Sequence, residues 1–360
     1  MTMNTSTAAA FPAGCAAFRG PLLHFIGEPG LTQPNPDSYE YHADGLLVVA
    51  DGRVLANGAA TDLLPRLPAG TEVEQWPDSL IIPGLIDTHV HMPQLAVMAS
   101  YGTQLLEWLE TYTFPTEARF ADAGWSADQS QLFLDLLLAH GTTSALVFST
   151  SHKVAAEALF SAADGYNMAI TTGKVMMDCH APDGVRDETE ASYSESRELI
   201  ERWHGKGRQR YAVTPRFAAT STVQQLTYAG QLVAEYPDVL MQTHWAENHA
   251  EIAWIKELFP ERSSYLDVYD HFGLLGERSV LAHGIHIDDG DRARLAETGT
   301  RIAFCPTSNT FLGSGLFDLA SARAAEVQVG LATDVGGGTS LSMLATMAEA
   351  YKGCQVRGQS

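Results

Sequence analysis

The chain has 360 residues, 45% of them hydrophobic, and a formal net charge of −21. That length can bury the core of a barrel of about 250 residues plus a small appendage. The negative charge argues against a nucleic-acid substrate, because binding by counterion release on phosphates needs basic side chains, and no run of 18 uninterrupted apolar residues suggests a helical membrane span.

The N-terminal residues 1–15 lack a basic stretch ahead of their apolar residues and read as a disordered leader rather than a secretory signal. Cys15, Cys179, Cys305 and Cys354 are far apart and form no C-x-x-C pair. Neither a disulfide framework nor a zinc ribbon is indicated, and a reducing cytoplasm is expected. Residues 16–82 alternate strand-like runs with turn clusters, and Asp51-Gly52 between two apolar runs is a hairpin signal. A small antiparallel β-domain is expected there.

From residue 83 to 360 the pattern changes. Strand-like runs at 80–91, 142–150, 167–178, 211–218, 239–247, 279–287, 300–309 and 327–335 alternate with helical stretches such as those near 128–141, 154–164, 194–206 and 222–236. Alternation of this kind implies parallel β/α units, and eight of them imply an α/β fold closed as a (β/α)8 TIM-type barrel. Residues 105–117, LLEWLETYTFPTE, place Leu105, Leu106, Leu109 and Tyr112 at helical spacing, which reads as core packing or a subunit contact rather than a substrate contact.

His89 and His91 in DTHVH are two apart on an extended segment, so both side chains project from one face. His244, His283 and Asp334 end the fifth, sixth and eighth predicted strands, at the barrel face where active sites lie. A lone histidine at a strand end is usually a satisfied polar residue. Four histidines and one aspartate together point to a metal centre formed by His89, His91, His244, His283 and Asp334, with Zn2+ as the expected ion and iron as its competitor. Asp87 shares the face of the two histidines and reads as a carboxylate hydrogen-bonded to the histidines or to the backbone. Glu247, three residues after His244, is placed for general acid/base work beside a metal-activated water. Glu247 could otherwise be a solvent-facing carboxylate opening a helix; His249, Glu251 and His286 read as structural.

The segments PGLIDTHVHMPQ, TFPTE, TPRFA, HWAENHAEI, AHGIHI, FCPTSNTFLGSGLFDL and GLATDVGGGTSLSML, spread over residues 83–344, resemble the guanine deaminases of the amidohydrolase superfamily. The resemblance implies a metal-dependent barrel with a small N-terminal β-sandwich and hydrolysis of guanine to xanthine and ammonia by a cytoplasmic homodimer of purine catabolism. It also implies one zinc per subunit, held by His89, His91, His244 and Asp334. On the substrate side it implies contacts from His91, Gln94, Arg216, Phe217, His244, Glu247, His283 and Asp334, with Glu247, Asp334 and His283 catalytic. Chemically, a guanidinium and an amide suit the carbonyl and ring nitrogens of guanine, and Phe217 offers a face to a flat base. Gln94 could equally be a loop residue, Arg216 could pair with an acidic neighbour, and Phe217 could be core. Related enzymes with two metals carry a carboxylated lysine at the end of the fourth strand. This chain reads TPRF there, so one metal is expected and Lys174 is read as buried or structural.

Two alternatives are weaker. A related aminohydrolase would act on 8-oxoguanine, cytosine or a triazine, and a non-catalytic assembly protein would be expected to have lost metal ligands that this chain keeps. A nucleic-acid deaminase would need H-x-E and P-C-x-x-C signatures, which are absent. Only residues 335–360 follow Asp334, so the last barrel helices and the sandwich are expected to be truncated relative to the family.

Overall fold

The computed structural model describes residues 10–30, 35–101 and 104–359; the first nine residues of the expected leader lie outside them. The chain divides into a small unit, Met1–Gly84, and a large unit, Leu85–Ser360.

The small unit is a four-stranded sheet of β1 (Ala16–Phe25), β2 (Tyr39–Ala50), β3 (Arg53–Ala59) and β4 (Val73–Gln75) in the order β3-β2-β1-β4. The sandwich expected over 16–82 is represented by this one sheet. Asp51 and Gly52 both take left-handed backbone, φ 51° and 71°, as a two-residue hairpin turn between β2 and β3 requires. One strand departs from the antiparallel expectation, since β4 runs parallel to β1. Phe11 and Cys15 pack with Ala17, Leu46, Val48, Ala60 and Leu63, and the Phe11 amide donates to the Arg66 carbonyl at 2.9 Å. Packed structure therefore begins upstream of residue 16, because a buried aromatic anchors a segment expected to be loose.

The large unit contains β5 (Leu85–His91), β6 (Thr142–Phe148), β7 (Ala169–Gly173), β8 (Val175–Met176), β9 (Arg210–Pro215), β10 (Leu240–Trp245), β11 (Ser279–His283), β12 (Arg301–Phe304) and β13 (Val329–Leu331). These pair in parallel along the path β13-β12-β11-β10-β9-β7-β6-β5, with the short β8 paired to β9. Hydrogen bonds from Thr88 Oγ1 to the Leu331 carbonyl, from the Asp334 amide to the His89 carbonyl and from the His91 amide to the Val335 carbonyl, at 2.9, 2.9 and 2.7 Å, join the first strand to the last and nearly close the barrel. Helices at Ala123–Ala139, Lys153–Tyr166, Thr189–Trp203 and Val223–Glu235 occupy the stretches where 3.6-residue periodicity placed them.

Between these helices and the strands lies the main core, in which Phe160 stacks on Trp203 at 5.5 Å and on Tyr211 at 6.3 Å. Burial of one such aromatic stabilises the fold by about 2 to 3 kcal/mol relative to exposure. The expected third strand is interrupted at Lys174. Gly173 lies so close to β9 that an added Cβ would meet the Ala212 carbonyl oxygen at 1.9 Å, and the chain re-registers there as β8.

Candidate active site

Strand geometry brings all five anticipated metal-side residues together. His89 and His91 leave the end of β5 with their Nε2 atoms 3.2 Å apart, and His91 Nε2 lies 3.1 Å from Nε2 of His244 on β10. Asp334, just beyond β13, places Oδ1 at 3.1 Å from His89 Nε2 and 3.3 Å from His91 Nε2. His283, at the end of β11, puts Nε2 3.7 Å from Asp334 Oδ2 and 3.4 Å from Glu247 Oε2. His283 and Asp334 both hold left-handed backbone, φ 74° and 50°. Each costs roughly 1 to 2 kcal/mol for a residue with a Cβ, and such strain is concentrated at functional sites.

The donor set fits a metal ion. His89, His244, His283 and Asp334 offer donor atoms all within 4.8 Å of one another. The tighter group is His89, His91, His244 and Asp334: four of its six donor separations, 3.1–3.3 Å, lie close to the edges, about 3.3–3.4 Å, of a tetrahedron of atoms about 2.0–2.1 Å from a zinc ion. We favour this quartet and place His283 beside it. Burial depresses the His91 imidazole to about 3 and His244 well below its ordinary value, so both present lone pairs rather than protons. His244 Nδ1 donates to the Arg216 carbonyl at 2.7 Å, which fixes the tautomer with Nε2 free. Burial raises Asp334, but the surrounding His89, His91 and His283 outweigh it and hold the carboxyl well below its usual range.

Glu247 sits in the turn between β10 and the helix His249–Leu258. Far from facing solvent, it is fully enclosed, and burial together with the Asp334 charge pushes its carboxyl up to about 8 despite a hydrogen bond from Ser314. Ser314 Oγ donates to Glu247 Oε1 at 3.2 Å, leaving Oε2 facing His283. His283 Nδ1 in turn donates to Asn309 Oδ1 at 2.9 Å, which keeps its Nε2 an acceptor. Glu251, read from sequence as structural, has a capping role and also reaches the pocket lining. It accepts from the amides of Glu247 and Asn248 at 2.9 and 3.1 Å in a capping box and from the Tyr265 hydroxyl at 2.8 Å, so it fixes the backbone that carries Glu247.

One pocket collects His91, His244, Glu247, Glu251, His283 and Asp334 with Gln94, Arg216, Phe217, Leu105, Trp108, Leu109, Leu312 and Gly337. Each bland alternative for the three substrate-side residues proves to be half of the description. Gln94 lies in the short 3-10 turn Met92–Val97 yet faces the pocket, Arg216 pairs with an acid yet lines it, and Phe217 belongs to the main core yet reaches it. The acid is Glu117, wholly buried, which sequence reasoning did not single out. Its Oε1 accepts from Gln94 Nε2 at 3.0 Å and its Oε2 from Arg216 Nη1 at 2.7 Å. The segment around Leu105–Trp108 also departs from expectation: Leu105, Trp108 and Leu109 do pack against Phe114 and Phe148, but the same residues form an apolar wall of the pocket.

Other residues stay outside the site. Lys174 is buried against Asp187, with Glu195 Oε2 at 3.4 Å. Asp87 accepts from the Thr333 amide and hydroxyl and from the His89 amide, and burial lifts its carboxyl to about 6. His249 stacks on His286 at 3.8 Å, and His286 Nε2 holds the Ser314 carbonyl at 2.9 Å. Burial drives the Cys305 thiol well above its ordinary value, which makes it inert. The glycine run after Asp334 is steric in origin: a Cβ on Gly338 would stand 1.8 Å from the Thr333 carbonyl oxygen. Gly338→Ala is expected to destabilise the protein by at least the 1 to 3 kcal/mol typical of overpacking, measured by denaturant unfolding, and to lower metal stoichiometry because the displaced turn carries Asp334.

A cluster of side chains able to hold a metal ion, at the carboxyl ends of the strands of a nearly closed parallel eight-stranded barrel with a buried acid beside it, is the arrangement of a metal-dependent hydrolase. The chain belongs to the amidohydrolase family, whose pattern matches residues 80–357. It is 49% identical over 315 residues to a guanine deaminase of Escherichia coli (strain K12), covering 88% of this chain and 72% of that one. Among solved structures it is similar to E. coli guanine deaminase, with a TM-score of 0.91 and 46% identity over 95% of this chain and 79% of the other. It is also similar to a guanine deaminase from C. acetobutylicum with bound guanine in the active site, with a TM-score of 0.87 and 28% identity over 96% and 80%.

Proposed function

We propose that this chain is a guanine deaminase that converts guanine and water to xanthine and ammonia with one zinc ion held by His89, His91, His244 and Asp334. The reading is carried by the 49% identity to the E. coli guanine deaminase; the geometry supplies its chemistry. Three imidazoles and a carboxylate suit zinc, with iron the ion that elemental analysis must separate from it. A metal ion held there would lower the pKa of a coordinated water from 15.7 to about 7 and so supply a nucleophile at neutral pH.

The protein residues do the rest. Arg216 and Gln94 hold the polar edge of the base, while Phe217, Leu105 and Trp108 enclose its faces and exclude water. Asp334 takes a proton from the attacking water as its oxygen bonds to C2. Glu247, raised to about 8 and so protonated at pH 7, gives the Oε2 proton to the adjacent ring nitrogen. His283, its Nε2 kept as an acceptor by Asn309, orients the incoming water. Asp334 then passes its proton to the exocyclic amino group while the new C2 hydroxyl returns a proton to Glu247; the C2–N bond breaks, ammonia leaves, and the proton given to the ring nitrogen stays on xanthine. The reading places the enzyme in purine breakdown in the cytoplasm, and among the described residues no helix is long and apolar enough to cross a membrane.

Ammonia release from guanine, 8-oxoguanine, cytosine and a triazine, measured on a metal-quantified preparation, tests the assignment. Guanine is expected to be turned over with the highest kcat/KM. No turnover of guanine, or a higher kcat/KM for another ring, sinks it.

A further inference from the structure

The buried carboxylate of Glu117 is itself part of neither the metal-side cluster nor the pocket lining, yet it grips both polar side chains of the substrate wall. A carboxylate oxygen in these contacts only accepts, so Gln94 must turn its amide nitrogen toward Glu117 Oε1. The Gly336 amide can only donate, and it reaches Gln94 Oε1 at 3.2 Å. Two one-way partners on opposite ends of one amide therefore select the same orientation. Arg216, pinned by Nη1 to the other carboxylate oxygen, keeps its remaining N–H groups for the pocket, and a guanidinium has donors only. Loss of the carboxylate would free both side chains at once.

We propose that Glu117 is a specificity-determining positioning residue, which locks Gln94 and Arg216 as a donor-bearing wall that demands a carbonyl on the substrate and rejects an amino group in its place. The proposal rests on the guanine reading above and sharpens it to one feature of the ring. Guanine offers the 6-oxo acceptor that such a wall requires. In 2,6-diaminopurine the same position carries N–H donors, which would face Arg216 donor to donor and leave buried polar groups unpaired, the situation in which enzyme sites discriminate most strongly.

Replacement of Glu117 by glutamine keeps the volume but makes one end a donor: facing Gln94 it forces that amide to choose between its new partner and Gly336, and facing Arg216 it opposes a donor-only guanidinium. The test measures kcat and KM for guanine and the inhibition constant of 2,6-diaminopurine, with zinc content as a control, in the wild type, Glu117→Gln and Glu117→Asp. Glu117→Gln is expected to raise KM about tenfold or more, in line with loss of a charge-assisted hydrogen bond, and to lower kcat less. It is also expected to narrow the ratio of the diaminopurine inhibition constant to the guanine KM by a similar factor at unchanged zinc content. Glu117→Asp, still a two-oxygen acceptor, is expected to move the ratio in the same direction by less, and it carries the test alone if the glutamine variant does not fold. A ratio that stays constant in the folded variants, whether KM rises or not, overturns the proposal. A wild type that does not deaminate guanine instead overturns the functional reading itself.

Discussion

Removal of the metal with a chelator is expected to abolish ammonia release and to lower the melting temperature, and addition of zinc to restore both. In the folded chain His91 Nε2 lies 3.2 Å from His89 Nε2 and 3.1 Å from His244 Nε2 beside the Asp334 carboxylate, with His89, His91 and Asp334 buried and His244 part-buried. Imidazole lone pairs gathered this closely repel one another unless a cation lies among them. An ion that binds the folded chain alone stabilises it by RT ln(1 + [L]/Kd), about 4 kcal/mol at a thousandfold excess over Kd. His244→Ala is expected to reproduce the chelated state, since it deletes one donor and unties the Arg216 carbonyl from Nδ1. The check is elemental analysis paired with the ammonia assay. Turnover that persists in metal-free protein would remove the metal from the reaction.

The parts of the site that sequence disclosed are those that obey a short-range rule. His89 and His91 share a face because side chains on a strand alternate, and His244 and His283 end apolar runs that could only be barrel strands. Glu117 obeys no such rule. It belongs to the helical segment 114–117 between β5 and β6, and its partners Gln94 and Arg216 are fixed only when the barrel closes. A trace of it was present, because Leu109, Thr113 and Glu117 are spaced four apart and all are buried. A carboxylate that continues a buried helical stripe is almost never left without a cationic or hydrogen-bonding partner, and Arg216 was the cation in need of one. Asn309 and Ser314 were legible only as part of a Gly/Ser/Asn-rich loop after the seventh strand that could close over the site or simply turn the chain, and its return over β11 and the turn after β10 brings them to His283 and Glu247. The break at Lys174 was invisible, since it arises from the approach of Gly173 to β9.

Glu247→Gln is expected to retain zinc and fold but to lose turnover by 10² to 10⁴, the usual worth of a positioned proton carrier. Glutamine fills the same space, and its oxygen can still accept the Ser314 hydroxyl that now meets Oε1. The amide nitrogen would then occupy the Oε2 position and donate to His283 Nε2, 3.4 Å away in the parent geometry, so packing and polar satisfaction survive. What disappears is the proton. Burial and Asp334 keep the parent carboxyl protonated up to about pH 8, so at neutral pH it can give a proton to the ring and afterwards take one back, whereas an amide can do neither. The loss should therefore appear in kcat, with KM changed little because Arg216 and Gln94 remain anchored on Glu117. Ser314→Ala gives a graded companion: it removes a hydrogen bond that lowers the Glu247 pKa, so the group's titration should move upward in pH. Glu247→Gln with near-normal turnover would exclude Glu247 from proton transfer, and loss of zinc together with activity would assign it to the structure of the metal site instead.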